Sequence, residues 1–448
     1  MTALQAVPVW FIAALFVAAS PAAAEGPAYS LTELVDRALR HNAEIGEERW
    51  KAAAAATDLQ KANAARILPK FRFEAYSGLV PEAKGDIFTF ESDTTGLRPL
   101  GPFLRTEIEF VQPLVVFGAG QLHRAAREGA AAAEAALAQK KTDVALDITE
   151  LYYGVQLAGE MRRLVDTLED EIGNRLQSLD DEGVALSLGN HYKLKFARLE
   201  IERQSAEVRT QADLAHRALA WTAGIPEEEA FTLDRPDLLP VEAELPPLTA
   251  LSESVPARRA DWRRLQAGLA AKEGLRNAAR GSFLPQLFVS GGVRYAVAPH
   301  RTDQHNPFIK DEFNLLNFGV AVGIRQSLEF GLLRADLAKR EAEYRQLKAT
   351  ESTALQGIRL DVRRAYLEAQ QATDELERME KSRRLARQWL REAKEAYEFD
   401  PESEAKELIG AVEAWANTER AYFDAVYEHN MALARLEKAS GVKLPEAP

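Results

Sequence analysis

The chain of 448 residues contains no cysteine. This absence excludes disulfide bonds, thiolate metal sites, a cysteine nucleophile and a lipid-modified N-terminal cysteine. The stability of the folded chain must therefore come from packing and from assembly alone.

Charged side chains are missing from residues 1–24, and no later segment approaches the roughly 20 apolar residues of a transmembrane helix. Within this opening stretch, Val9–Ala19 is apolar, and three alanines precede Glu25 in a pattern typical of a cleavage site. We predict a signal peptide over residues 1–24 and export of the mature chain, although the usual Lys or Arg near the start is absent.

The chain has fewer basic than acidic residues, 56 Lys and Arg against 68 Asp and Glu, and its formal net charge is −12. A nucleic-acid-binding surface needs a basic patch, so this balance argues against nucleic acid as a partner. The sequence also lacks a P-loop, an H-E-x-x-H motif and a nucleophile elbow. We therefore expect no enzyme activity and no cofactor.

Proline is absent between residues 113 and 226 and again between residues 307 and 401. Both stretches are rich in residues of high helix propensity. A single helix from Ala119 to about Asp180 would reach on the order of 90 Å at about 1.5 Å per residue. Apolar residues at steps of three and four predict coiled-coil packing, for example at Val144, Ile148, Leu151, Val155, Ile358, Val362, Ala365 and Ala369.

The two halves of the chain repeat each other. The segment Ile67–Phe71 recurs as Phe283–Leu287, and Gln112–Gly118 recurs as Gln326–Gly331, in the same order. We predict two structural repeats, residues 25–249 and 250–448. The first has a β-hairpin at about 70–115, a long helical hairpin at about 118–224 and a linker at 225–249; the second has them at about 286–328 and 331–441.

The four predicted strands alternate strictly between apolar and polar or small residues, most clearly from Asn317 to Arg325. Such faces suit either a half-buried sheet in a soluble protein or a transmembrane barrel. A membrane-spanning strand needs about 9–11 residues, which all four provide. Four strands cannot close a barrel and open edges are not tolerated in hydrocarbon, so in a membrane the chain must oligomerise.

Several segments resemble the outer-membrane efflux proteins, the TolC family. The resemblance lies in the opening Leu31–Ile45, the Leu-Pro strand entries at Pro69 and Pro285, the strand exit Gln112–Gly118 and the closing Asn430–Gly441. It implies a mixed α and β fold, in which a homotrimer forms a twelve-stranded transmembrane β-barrel continued by an α-helical tunnel across the periplasm. It also implies an outer-membrane location in a Gram-negative bacterium, contact with outer-membrane lipid, and passive exit-duct function beside a periplasmic adaptor and an inner-membrane pump.

Each long helix is predicted to turn back at an acidic break, where the family carries a Val-Gly turn and pore-narrowing aspartates. This sequence departs from that pattern, so those aspartates have no counterparts here. A different acidic tip is the candidate gate, at Asp180, Asp181, Glu182, Asp400, Glu402 and Glu404. Carboxylates crowded at a narrow mouth favour cations, although an acidic turn in water is the plainer interpretation. The candidate barrel lumen comprises Arg72, Glu74, Arg105, Glu107, Glu109, Arg294 and Arg325.

Two further interpretations remain open at this level. A periplasmic coiled-coil scaffold would explain the helices but not the strands, and an adaptor protein of an export complex would normally have one helical hairpin.

His300 and His305 form the closest histidine pair, but two ligands make a weak metal site, and we predict none. The transported substrate is not encoded in any recognisable motif.

Overall fold

The computed structural model describes residues 26–83, 85, 99–182, 188–252, 255–301, 305, 308, 310–399 and 401–445. The predicted signal peptide, residues 1–24, lies outside them. The elements follow the order β1 (Ala28–Tyr29), α1 (Leu31–His41), α2 (Ala43–Ile67), β2 (Lys70–Pro81), β3 (Leu100–Val115), α3 (Ala119–Glu182), α4 (Leu188–Ala223), β4 (Thr232–Leu233), α5 (Leu248–Ser252), α6 (Val255–Arg258), α7 (Ala260–Gly281), β5 (Gln286–Val297), β6 (Leu315–Arg325), α8 (Phe330–Phe399) and α9 (Pro401–Ser440).

Strands β2, β3, β5 and β6 form one antiparallel sheet in that order. Two hairpins, β2–β3 and β5–β6, are joined by the pairing of β3 with β5, so β2 and β6 are the sheet edges. A bulge between Pro113 and Val115 ends the regular pairing of β3. The short strands β1 and β4 pair in parallel and form a separate two-stranded sheet.

Several helices begin or end at residues whose local chemistry predicts a helix terminus. Helix α1 starts with a capping box, in which the Ser30 hydroxyl accepts from the backbone of Glu33 and the Glu33 carboxylate accepts from the backbone of Ser30. Helices α4 and α9 are followed by Gly224 (φ +70°) and Gly441 (φ +67°), a left-handed conformation that costs glycine little. None of the described helices combines the length and apolar character that a membrane crossing requires.

The chain divides into two compact units, each drawing segments from both halves of the sequence. The first consists of the described residues of Met1–Asn42, Asp147–Val241 and Asp374–Met431. There, the segment after α4 lies along α3: the Tyr152 hydroxyl donates to Asp234 (3.0 Å), the Gln156 amide donates to the carbonyl of Arg235 (2.6 Å) and the backbone N–H of Leu238 donates to Glu160 (3.1 Å).

The second unit consists of the described residues of Ala43–Leu146, Glu242–Thr373 and Ala432–Pro448, and it contains the four-stranded sheet. Its core joins α8 and the end of α9 to the short helices α5 and α6. The buried residues of this core are Leu251, Val255, Ile358, Val362, Ala365, Ala369, Ala432, Leu433 and Leu436. The stripe predicted on α8 is thus buried, and its alanines allow close helix approach.

Candidate functional site

The register of the sheet places all the predicted lumen residues on one face. Arg72 pairs with Glu109 and Glu74 pairs with Glu107 across β2 and β3. Glu107 in turn pairs with Arg294 on β5. Directly paired residues of an antiparallel sheet share a face, and the same register brings Arg105 and Arg325 to that side. We call it the polar face.

Five of these residues make ion pairs, as a group of three and a separate pair, and we call these five the charge network. The guanidinium of Arg294 donates two hydrogen bonds to the Glu107 carboxylate, at 2.7 and 3.1 Å. Arg105 donates to the same carboxylate at 3.4 Å. Arg72 lies 3.9 Å from Glu74. The strand pairing therefore assembles groups that are distant in sequence into one charged surface.

Around this network the polar face is lined by small residues. Gly292 pairs with both Glu109 and Gly319, and Ser290 pairs with Ala321. A Cβ atom added at Gly319 would meet nothing within 4 Å. Arg325 stands apart from the network, with its guanidinium 4.7 Å from the centre of the Phe288 ring. The face is thus charged and open.

The opposite face of the same sheet, which we call the apolar face, carries large side chains left bare in the single protomer. Phe318, Val320 and Ile324 on β6 are 78%, 72% and 74% exposed. The others that alternate with the polar face are Phe71, Phe73, Leu79, Leu104, Ile108, Val293, Tyr295, Leu316 and Val322. Soluble proteins rarely expose a contiguous apolar patch of this extent, whereas a lipid-facing barrel wall requires one.

The predicted acidic tip is described only in part. Asp180, Asp181 and Glu182 form the end of α3, and Glu402 and Glu404 lie in the first turns of α9. Their side chains and all of Asp400 lie outside the described part of the chain. The gate therefore stays a prediction.

The histidine pair in the β5–β6 connection has a structural environment. His300 Nε2 lies 2.6 Å from the carbonyl oxygen of Val80, to which it donates. The backbone N–H of His305 donates to the carbonyl of Gly85 (2.8 Å). Among the described residues there is no group of three or more His, Cys, Asp or Glu that could hold a metal ion.

Two buried charged side chains, Arg301 and Glu419, could not be recognised from the sequence. Arg301 lies in the connection between β5 and β6, with its side chain 4% exposed, and pairs with Asp311. Glu419 on α9 is equally buried and accepts hydrogen bonds from Arg383 (2.8 Å), Arg387 (2.5 Å) and the Trp415 indole (3.2 Å). Both lie among other charged or polar residues, so no local sequence signal marks them as buried.

Burial raises the pKa of the Glu419 carboxyl, but its two arginine partners outweigh this and hold the pKa below its ordinary value. On the same helix, burial lowers the pKa of His429, opposed by the hydrogen bond that the ring donates to the Val241 carbonyl (3.1 Å). Both groups belong to the first unit.

The described chain combines a two-faced antiparallel sheet with very long helices. Residues 251–442 match the family described as outer membrane efflux protein. No match to the sequence was found among curated proteins.

Solved outer-membrane channels share the fold over nearly the whole chain. CmeC of Campylobacter jejuni is 16% identical, with 93% of this chain and 87% of that one covered and a TM-score of 0.73. MtrE of Neisseria gonorrhoeae, solved in its open state, is 17% identical, with 92% and 89% covered and a TM-score of 0.71. VceC of Vibrio cholerae is 17% identical, with 92% and 96% covered and a TM-score of 0.72.

At these identities the likeness to solved structures is one of fold, and the sequence match covers the second half of the chain. Together they confirm the resemblance drawn from the sequence. The second half of the chain is thus similar to outer membrane efflux proteins, and the chain shares its fold with solved outer-membrane channels.

Proposed function

We propose that the chain is the protomer of a homotrimeric exit duct, which passively conducts substrates outward for a tripartite efflux pump or a type I secretion system. The single observation that carries this proposal is the four-stranded sheet with a bare apolar face and a charged, open polar face. Three such sheets, joined β6 to β2 around a threefold axis, make a twelve-stranded barrel without free edges. Lipid covers its outside, and water fills its inside.

The remaining architecture follows from the sequence repeat. After removal of residues 1–24, the mature chain consists of two equivalent halves, 25–249 and 250–448, each with one β-hairpin and one helical hairpin. The helices α3, α4, α8 and α9 continue the barrel as a periplasmic tunnel. Their tips contact a periplasmic adaptor, which connects the duct to an inner-membrane pump.

Conduction in such a duct needs no catalysis, and the solved relatives are described as channels. Selectivity then depends on the charges along the path. The network of Arg72, Glu74, Arg105, Glu107 and Arg294 lies in the barrel lumen, together with Glu109 and Arg325. The acidic tips form a second charged ring, which favours cations electrostatically.

Single-channel recording in planar bilayers tests this function. The mature protein is purified in detergent and its mass is determined before reconstitution. A trimer that changes mobility on heating and gives stable, cation-preferring conductance supports the proposal. A monomer that stays soluble without detergent and gives no conductance would support a periplasmic scaffold or adaptor instead.

The tip gate has its own test in the same recordings. Replacement of the six tip acids by Asn or Gln should alter conductance and reduce the preference for cations, because the carboxylates that attract cations are removed from the mouth. Conductance and ion preference equal to those of the unaltered channel would exclude a gating role for these acids.

A further inference from the structure

The described residues between β5 and β6 fold back across the sheet, at the end opposite to that where α7 precedes β5 and α8 follows β6. We define the inner loop as the described residues 298–301 and 310–314. Ala298 and Asn314 hold its two ends together: the backbone N–H of Ala298 donates to Asn314 Oδ1 (2.7 Å), and Asn314 Nδ2 donates to the carbonyl of Ala298 (3.1 Å). The two described parts of the inner loop are therefore tied together by hydrogen bonds of their own.

The inner loop reaches the far edge strand through two residues. His300 donates to the carbonyl of Val80, and Arg301 donates to the carbonyl of Pro81, both at the end of β2. Since β2 and β6 are opposite edges of the sheet, the loop crosses β3 to make these contacts. Loops that merely connect neighbouring strands do not span a sheet in this way.

The side of the sheet that the loop covers is the polar face. Val80 pairs with Gly101, on the same face as Arg72, and a Cβ atom at Gly101 would overlap the His300 ring. Two residues further along β3, Phe103 contacts Phe313 edge to face, with ring centroids 5.0 Å apart. Val80 is consequently buried.

The apolar face at the same level is bare. Leu79, the neighbour of Val80 in the strand, is 65% exposed, and Leu316 at the start of β6 is also exposed. The loop therefore covers the charged side of the sheet and leaves the apolar side free. A loop that only shielded apolar surface from water would do the reverse.

A buried ion pair fixes the loop in this position. Arg301 donates to Asp311 through Nη2 (3.1 Å) and Nε (3.2 Å), and its guanidinium lies 5.0 Å from the centre of the Phe313 ring. The two side chains are 4% and 10% exposed. Burial of a charge pair is costly unless its hydrogen bonds are satisfied. The arginine fork fulfils that condition with the carboxylate and the Pro81 carbonyl together.

We infer that the inner loop is a built constriction at the outer mouth of the channel, held over the lumen face by Arg301 and setting an upper size for solutes that pass. The inference rests on the proposed function, because it takes the polar face as the lumen. Three copies, one from each protomer, project inward at one level. The inner loop contains none of the acidic-tip residues, so the constriction is distinct from the proposed tip gate.

Size-graded labelling of a single cysteine on intact cells tests this inference, and the cysteine-free chain makes the label unique. Asn317, paired with Arg294 on the polar face, is changed to Cys. A small charged methanethiosulfonate and a maleimide carrying a long polyethylene glycol chain are added outside. Phe318→Cys, the next residue on the apolar face, is the control for lipid exposure.

Two variants release the loop by different physical means. Gly101→Val places side-chain atoms where the His300 ring lies and changes no charge. Arg301→Ala removes the ion pair. Arg345→Ala, which removes an exposed arginine on α8, is the matched charge control. A heat-modifiable trimer on gels shows that a variant folds. If one release variant does not fold, the other one is sufficient for the test.

We expect the large reagent to react with Asn317→Cys at least about tenfold faster in the release variants than in the parent or in Arg345→Ala, since access is limited by the narrowest point of the path. Equal rates with and without release would overturn the constriction. Failure of even the small reagent to reach Asn317→Cys in every background would instead show that the polar face is not a lumen, and the proposed function itself would fall.

Discussion

Arginine placed on one or the other face of β6 distinguishes a lipid-facing sheet from a soluble one. Val320 lies at the centre of β6 on the apolar face, 72% exposed in the protomer, and its neighbour Ala321 lies on the polar face. The two sites share the strand and nearly the same depth, but they face opposite sides. Val320→Arg and Ala321→Arg therefore form a matched pair.

The expected cost follows from the position of Val320 in the strand. With five residues of β6 on either side, it would lie near the middle of the hydrocarbon layer in the proposed barrel. Arginine at the midplane of a transmembrane barrel costs about 2–4 kcal/mol, which corresponds to roughly 30- to 700-fold in the folding equilibrium of each protomer. On a water-exposed surface the same change would stay within about 0.5 kcal/mol.

Folding into lipid vesicles from urea measures this difference. The fraction of heat-modifiable trimer is followed against urea concentration for both variants and for the unaltered protein. We expect Val320→Arg to shift the transition strongly to lower urea and Ala321→Arg to shift it little. Equal transitions for the two variants, or the larger loss at Ala321, would refute the assignment of the faces.

Three further predictions concern charged groups. Glu419→Ala should lower the free energy of unfolding by about 2–3 kcal/mol, which is at or just below the usual range for breaking a buried pair, because the freed arginines are partly exposed. The control Glu368→Ala, at an exposed position, should change the free energy of unfolding by no more than about 0.5 kcal/mol in the same denaturation assay. If the polar face lines the lumen as proposed, Glu107→Gln should shift the reversal potential toward weaker cation preference, because it removes a carboxylate that Arg105 and Arg294 share; an unchanged potential would exclude Glu107 from the ion path. His429 has a pKa lowered from its ordinary 6.5, so the unfolded chain binds protons more readily, and stability should fall as pH drops below about 6.5. His429→Gln should reduce that loss, and an identical pH profile would contradict this origin.

The assignment of residues to sheet faces could be made from the sequence. Alternation with a period of two depends only on the geometry of a single strand, and for this reason the sequence alone predicts Arg72, Glu107 and Arg294 on the polar faces of their strands. The long helices could likewise be predicted from the sequence, because the absence of proline and the spacing of apolar residues at steps of three and four are local properties. The structure adds the bare state of the apolar face, which favours a membrane sheet over the soluble alternative.

The contacts between strands could not be read from the sequence. Glu107 and Arg294 are 187 residues apart, and their ion pair depends on the register between β3 and β5, two strands from different halves of the chain. The same holds for Glu419, whose two arginine partners on α8 are 32 and 36 residues away. Local composition gave no indication that this carboxylate, among many on the helices, is buried.

The elements, their faces and the duplicated order are predictable from the sequence alone, since each depends on the conformational preferences of neighbouring residues. Which charges meet, and where the loops lie, follows from the three-dimensional packing of the chain. His300 and Val80 are separated by 220 residues, yet the fold brings one against the other and lays the inner loop over the polar face. Such contacts form when distant segments pack together, and their stability depends on all the interactions of the folded chain.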